Sequence, residues 1–330
     1  MTNPFFQKNM TAVFFDGQLR LKQQYPIPRP PEGWALTQVL SAGICRTDIE
    51  LTKGYQAFNG ILGHEFVGIV KKADNRGLIG QRVVGEINAA CGGCDACRRG
   101  AGRHCAKRKV LGIENLNGAL ADYLILPETN LLPVPENISN DQAVLMEPLA
   151  AATQILDQVQ LNGEEKVVVL GDGPVGILCA WALATVCRQV TIAGRHSAKL
   201  EIARWRHLKT ARLEAVEAGV DLVVDATGRA DGLSHAIRLC RPQGTIVMKS
   251  TVADTGKINL APLVVNEISL VGSRCGRFKK ALELLETHPD IPLPRLISAR
   301  YSISQALKAF AHAARSDGMK IIIEVSTSAL

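Results

Sequence analysis

Four cysteines, Cys91, Cys94, Cys97 and Cys105, follow one another in the spacing C-x2-C-x2-C-x7-C. Thiolates so spaced can close a tetrahedral shell around one zinc ion, with Gly92 and Gly93 permitting the tight turns between ligands. A closed shell leaves no position for substrate, so this zinc is expected to be structural. An iron–sulfur cluster also takes four cysteines, but its usual spacings differ. A second arrangement is Gly171-Asp172-Gly173-Pro174-Val175-Gly176, which follows the apolar run Val167–Leu170 and opens a helical pattern. Its glycines let the backbone approach a pyrophosphate, whose charge meets a helix N-terminus. The plainer reading of the same residues is a tight β–α turn without ligand.

The end of the next strand chooses the nucleotide. NAD binders place an acid there, about 20 residues on, to accept from the ribose 2′-hydroxyl. This chain has Gly194, Arg195, His196 and Ser197, then Lys199. With no acid in that stretch to repel a 2′-phosphate, and a guanidinium able to bind one bidentately, NADP is expected over NAD. The alternative for Arg195 is a solvated loop charge. Asp225-Ala226-Thr227-Gly228 ends a further strand, and in an open α/β sheet that end faces the ligand crevice, so Ala226, Thr227 and Gly228 are expected beside the nicotinamide.

A third set is dispersed: Cys45 in Gly43-Ile44-Cys45-Arg46-Thr47-Asp48, then Gly63-His64-Glu65, then Glu147 in Met146-Glu147-Pro148-Leu149-Ala150. Taken singly each is ordinary: a core cysteine, a satisfied histidine, an acid capping a helix.

These residues need elements to carry them. Up to about residue 150 the chain is rich in Gly, Pro and short β-prone runs, Ala12–Phe15, Ala35–Leu40, Phe66–Lys71 and Gln81–Glu86, which reads as a compact, irregular β domain. Strands and helices then alternate: strand Val167–Leu170, helix Val175–Arg188, strand Val190–Ala193, helix Leu200–Leu208, and strands Val220–Asp225, Thr245–Lys249 and Ile268–Val271. That rhythm implies a doubly wound parallel sheet, hence an α/β fold. The tail adds a helix over Ser304–Ala314 and a last strand, Lys320–Val325. The expected divisions are 1–150, 151–287 and 288–330.

Composition sets the outer bounds. The 330 residues suffice for two domains, and 47% hydrophobic with 21% charged residues excludes a disordered or fibrous chain. The net charge of +7 is spread along the chain. Its densest cluster, Arg98, Arg99, Arg103, Lys107, Arg108 and Lys109, has no interleaved aromatic for base stacking, so it reads as the solvated rim of a zinc loop rather than a nucleic-acid surface. No apolar run reaches the ~18 residues of a membrane helix. Met1–Met10 lacks an apolar signal core, and the nine cysteines are an odd count, so a cytoplasmic protein without a disulfide framework is expected.

Cys-Arg-Thr-Asp, Gly-His-Glu, the four-cysteine segment, Glu-Pro-Leu-Ala and the Gly-rich turn stand here in the order seen in zinc-dependent medium-chain dehydrogenase/reductases, and the resemblance covers nearly the whole chain. It is greatest for the Glu-Pro-Leu branch, which includes polyol and glucose dehydrogenases. The resemblance implies a GroES-like β catalytic domain carrying the structural zinc lobe, a Rossmann NAD(P)-binding domain, and a C-terminal segment returning to the first domain, with the active site in the cleft between domains. It makes Cys45 and His64 ligands of a catalytic zinc, with Glu147 or Glu65 as the third, so that two zinc ions are expected per chain. Asp48 would orient His64, and Thr47 would contact the alcohol oxygen as the first member of a proton relay. Zinc would stabilise the alkoxide whose hydride passes reversibly to the nicotinamide. Arg46 and Lys320 would reach the pyrophosphate, or else be ordinary surface cations.

Some positions depart from the family. Glu50 stands where many members have a relay histidine, and acts either as a proton shuttle or as a surface charge. The stretch Leu208–Val220 is short, which implies that one crossover helix is reduced or absent. Phe5, Phe6, Phe14, Phe15, Trp34, Tyr55 and Phe58 are available as pocket walls, of which Tyr55 and Phe58 precede Gly-His-Glu. Cys179 and Cys187 are expected to be buried in the first Rossmann helix, and Cys275 to lie near the domain junction, with no role assigned to it. The resulting expectation is an NADP-preferring alcohol or polyol dehydrogenase acting on a small alcohol or carbonyl substrate, as a homodimer or homotetramer. The rivals are a sugar or amino-alcohol dehydrogenase of a biosynthetic pathway, and an inactive nucleotide-binding zinc scaffold or redox sensor.

Overall fold

The computed structural model describes residues 8–251, 258–315 and 318–325; Phe5 and Phe6 lie outside them. The chain forms two compact units, Met1–Glu147 with Ile297–Leu330, and Pro148–Leu296.

The first unit is built on strand Trp34–Ile44, whose buried Ala35, Thr37 and Val39 alternate with half-buried neighbours as a pleated strand requires. The sheet runs Leu131–Pro133, Arg82–Gly85, Glu65–Lys72, Trp34–Ile44, Lys320–Glu324, Ile297–Ser302, with Tyr123–Pro127 also on the central strand. Two registers matter for the site. Gly43 pairs with Glu65 on one side of the central strand, and Ile44 pairs with Ile321 on the other. Glu65 and Lys320 therefore flank the end of the strand that leads into Cys45. A smaller sheet, Asn88–Ala89, Lys109–Leu111 and Asn115–Leu116, carries the four-cysteine segment between its first two strands.

The second unit holds six strands: β1 Lys166–Leu170, β2 Gln189–Gly194, β3 Lys209–Arg212, β4 Val220–Asp225, β5 Cys240–Met248 and β6 Ser269–Gly272. They lie in the order β3-β2-β1-β4-β5-β6, every pair parallel. Helices α1 Pro174–Ala184, α2 Ser197–Ala203 and α3 Gly232–Leu239 follow β1, β2 and β4. The valine-rich runs of β1 and β4 are buried, as strands covered on both faces are. The order reverses at β1, and ligands bind parallel sheets at such a switch point, outside the carboxyl ends of the strands. Nine consecutive residues of α1, Gly176 to Ala184, are buried, Cys179 among them, and Trp181 Nε1 donates to Ala203 O at 2.8 Å. Cys187 is buried just beyond the helix rather than within it.

Two local expectations need correction. The helix expected over Leu200–Leu208 is Ser197–Ala203, and it is followed by β3, which the sequence does not announce: Lys-Thr-Ala-Arg is an edge strand with no apolar run. Between β3 and β4 there is one 3-10 turn, Leu213–Ala215, so the short stretch there indeed carries no full crossover helix. Among the described residues no helix is long and apolar enough to cross a membrane.

Candidate metal centres and dinucleotide turn

The four-cysteine segment folds so that its sulfurs converge. Cys94 Sγ lies 3.4 Å from Cys97 Sγ and 3.7 Å from Cys105 Sγ, and Cys91 Sγ lies 4.0 Å from Cys97 Sγ. With Zn–S bonds of ~2.3 Å, tetrahedral edges come to about 3.8 Å, so the four thiols fit one such ion. Unmetallated, they cannot all ionise together. Backbone N–H donors, Gly93 foremost, hold Cys91 down to about 6, while burial and the neighbouring thiols push Cys97 up to about 11. All nine cysteines are free.

A second set, Cys45, His64 and Glu65, has its ligand atoms within 4.8 Å of one another; Glu147 is not in it. Cys45 is the N-cap of helix Arg46–Thr52. Asp48 is the third residue of that helix, and its buried carboxylate ties the motif together: Oδ2 accepts from Cys45 N at 2.8 Å and Oδ1 from Gly63 N at 3.0 Å. Asp48 Oδ1 also stands 3.4 Å from His64 Nδ1, beside the histidine it is expected to orient. Nδ1 is nevertheless a buried nitrogen with no hydrogen bond of good geometry. Burial would lower the His64 pKa, but the Asp48 carboxylate and the Cys45 thiol outweigh it and raise it well above the ordinary value. The pocket thus favours a positive charge, which suits a divalent metal on the Cys–His–carboxylate set. Thr47 Oγ1 accepts from Cys45 Sγ at 3.7 Å.

Lys320 is not an ordinary surface cation. It is 4% exposed, and its Nζ donates to both Glu65 oxygens at 2.6 Å and to Ile44 O at 3.4 Å. Burial works against its charge, but Glu65, Cys45 and Glu147 raise its pKa. Arg46 is exposed and pairs with Glu50 at 2.8 Å, and Glu50 also meets Lys53 at 3.3 Å. Glu50 thus lies half-buried between two cations. Of the two aromatics before Gly-His-Glu, Phe58 is buried and Tyr55 exposed.

In the second unit the Gly-rich turn is fastened at both ends. Gly171 N donates to Ala193 O at 2.8 Å and Ala226 N to Leu170 O at 2.9 Å, which brings the ends of β1, β2 and β4 together. A Cβ on Gly176 would strike the Gly171 carbonyl, whereas one on Gly173 would meet nothing within 4 Å. Gly173, the N-cap of α1 with Pro174 and Val175 next, therefore leaves room for a pyrophosphate against the helix end. Beside it, Asp225 Oδ1 accepts from Thr227 N at 2.9 Å and Thr227 Oγ1 at 2.7 Å, and Gly228 N donates to Ser250 Oγ at 2.8 Å. Burial raises the Asp225 pKa despite those bonds.

At the corner after β2, Arg195 is exposed and Lys199 half-buried on α2. Two residues there escape the sequence reading. Arg212, the last residue of β3, donates to the Arg195 carbonyl, and its strand is the one left unread. Asp172 brings a carboxylate to a corner expected to have none: its Oδ2 accepts from Arg195 N and His196 N, each at 2.7 Å. The signal was the acid inside the Gly-rich turn itself. Burial would raise the Asp172 pKa, but the bonds from His196 and Arg195 lower it.

Comparison with known proteins agrees with this geometry. Residues 31–136 match the family of alcohol dehydrogenase GroES-like domains, and residues 140–325 the glucose dehydrogenase C-terminus family. The chain is 31% identical to D-altritol 5-dehydrogenase of Agrobacterium fabrum over 307 residues, covering 87% of this chain and 90% of that protein. Alcohol dehydrogenase TADH of Thermus sp. ATN1 is 28% identical with a TM-score of 0.88, covering 96% of this chain and 100% of its own. A putative zinc-binding dehydrogenase of Sinorhizobium meliloti, bound to NADP, is 25% identical with a TM-score of 0.88, covering 97% of this chain and 100% of its own. With a GroES-like domain and a six-stranded Rossmann sheet, the chain is an oxidoreductase that belongs to the medium-chain dehydrogenase/reductase superfamily, in its polyol dehydrogenase-like branch.

Proposed function

We propose that the protein is a zinc-dependent, NADP-preferring polyol or alcohol dehydrogenase, interconverting a hydroxyl and a carbonyl. The observation that carries this is the Cys45–His64–Glu65 set beside a second, four-sulfur set. Three protein ligands leave a fourth position for substrate oxygen, whereas four sulfurs leave none. The first unit then acts as the catalytic domain and the second as the dinucleotide domain.

In that reading Cys45 and His64 hold one zinc ion and Cys91, Cys94, Cys97 and Cys105 another. Bound at the three-ligand set, zinc supplies a Lewis acid that favours the ionised form of an alcohol and polarises a carbonyl. Asp48 holds the backbone of Cys45 and of Gly63, next to His64, and stands beside the His64 ring. Lys320 engages both oxygens of Glu65, which favours Glu147 as the resting third ligand and keeps Glu65 as the acid that can replace it. Thr47, one residue beyond Arg46, is the hydroxyl that takes the substrate proton. The turn Gly171–Gly176 receives the pyrophosphate, and Ala226, Thr227 and Gly228 border the nicotinamide. Arg195, supported by Arg212 and Lys199, gives the ribose corner the charge that favours a 2′-phosphate.

A polyol is the favoured substrate class because D-altritol 5-dehydrogenase is among the relatives, and because the Glu147-Pro148-Leu149 segment resembles the branch that includes polyol dehydrogenases. The exposed Leu270 on edge strand β6, with Val264 and Val265 just before it, supports self-association through that edge. Nine free cysteines fit a cytoplasmic protein. The test is the initial rate of nicotinamide absorbance change over polyols, simple alcohols, sugars, amino alcohols and ketoses, with NADP and NAD in parallel. Turnover concentrated in polyols and ketoses, faster with NADP, is expected. Turnover confined to amino alcohols would overturn the substrate class, and silence from zinc-loaded protein would favour the scaffold.

A further inference from the structure

Asp172 belongs to the Gly-rich turn, but its carboxylate reaches across to the end of the neighbouring strand. A Cβ on Gly194, the last residue of β2, would lie 2.5 Å from Asp172 Oδ2 and 2.6 Å from its Cγ, so the missing side chain at Gly194 is what admits the carboxylate. Oδ2 then takes the N–H groups of Arg195 and His196 at 2.7 Å each, and His196 Nδ1 lies 3.1 and 3.2 Å from its two oxygens. The residue is only 9% exposed. These are the first two donors beyond β2, where parallel α/β folds read the ribose 2′ position. Successive backbone N–H groups at such a turn are the donors that a bound anion uses. Here an internal anion already holds both.

We propose that Asp172 is a specificity-determining residue of the dinucleotide site: its charge stands at the 2′ position, and it limits the advantage that Arg195 gives NADP over NAD. The proposal rests on reading this turn as a dinucleotide site. Two effects of the carboxylate are separable. Its charge opposes a 2′-phosphate and does not repel a neutral 2′-hydroxyl, while its hydrogen bonds hold the Arg195–His196 backbone for either nucleotide. Asparagine has the same shape and one carbonyl oxygen that can go on accepting from the two N–H groups. Asp172→Asn therefore removes the charge and keeps the support.

The experiment is direct binding of NAD, NADP, AMP and 2′,5′-ADP by calorimetry to the wild type, Asp172→Asn and Asp172→Ser. The expected result is a preference for NADP over NAD, and for 2′,5′-ADP over AMP, that grows about tenfold in Asp172→Asn, a modest like-charge term for a partly solvated corner. NAD and AMP affinities should stay within about threefold of wild type. Asp172→Ser should shift the preference in the same sense if the asparagine variant does not fold. Equal weakening of all four ligands would reduce Asp172 to a structural residue, and an unchanged or reversed preference would also overturn the proposal. If the wild type bound none of the four, the dinucleotide reading itself would fall.

Discussion

Of the two acids that could complete the Cys45–His64 pair, Glu65 has its ligand atom within 4.8 Å of theirs, yet both its oxygens lie 2.6 Å from Lys320 Nζ. Removing Glu147 should therefore weaken zinc binding at the three-ligand site, with only the Lys320-bound Glu65 left to replace it, whereas Glu65→Gln should keep its metal and lose stability instead, because Lys320 loses its ion-pair partner. Zinc retained per chain after dialysis checks this: Glu147→Ala should keep less than Glu65→Gln, and the opposite order would exchange the roles of the two acids. At the nucleotide corner, Arg195→Ala should weaken NADP about 10- to 100-fold, the scale of a charge-assisted hydrogen bond, with far less effect on NAD. Equal weakening in a binding titration would remove Arg195 from the 2′-phosphate. The residues that meet at the three-ligand site were legible in sequence as Cys, His and Glu in a readable order, and the structure brings the ligand atoms of Cys45, His64 and Glu65 within 4.8 Å of one another. The Lys320–Glu65 pair was not, since its partners are 255 residues apart and meet only through strand pairing. Nor was the reach of Asp172, which depends on what Gly194 lacks.

At the scale of elements, the βαβ unit around Gly171 was legible because strand, turn and helix each have their own pattern, and the Val-rich β1 and β4 stand out by apolar runs. Strand β3 did not, being a polar edge strand that only its neighbour defines. Its loss from the sequence reading hid Arg212 too. The four-cysteine segment is an element of another kind, with short helices and turns and little apolar burial of its own: within it only Cys105 is fully buried. Its order should then depend on its metal. Cys94→Ala, or mild chelation, should open 91–105 to limited proteolysis and lower Tm by roughly 5–10 °C, as the loss of a few kcal/mol does in a chain of this size. A segment equally resistant with and without zinc would show that packing holds it.

For the whole molecule, the sequence indicated an α/β chain with a β-rich beginning, and strand Lys320–Glu324 shows how its end enters the first unit's sheet. What the sequence could not show is which surfaces stay apolar after folding. Val264 and Val265 are 78% and 79% exposed, beside the open edge of β6. Open, apolar edges invite pairing. Leu270→Lys with Val265→Glu should halve the mass measured by light scattering; an unchanged mass would place the subunit contact elsewhere, or show that there is none.

In the proposed function two kinds of metal site coexist, one closed and one open for chemistry. It is tested most directly by zinc per chain, measured on the wild type and on Cys45→Ala, with turnover recorded on the same samples. Two ions should fall to one, the fold should persist, and the rate should drop by about a thousandfold or more, since several kcal/mol of charge stabilisation would be lost. One ion in both proteins, or full turnover from Cys45→Ala, would contradict it.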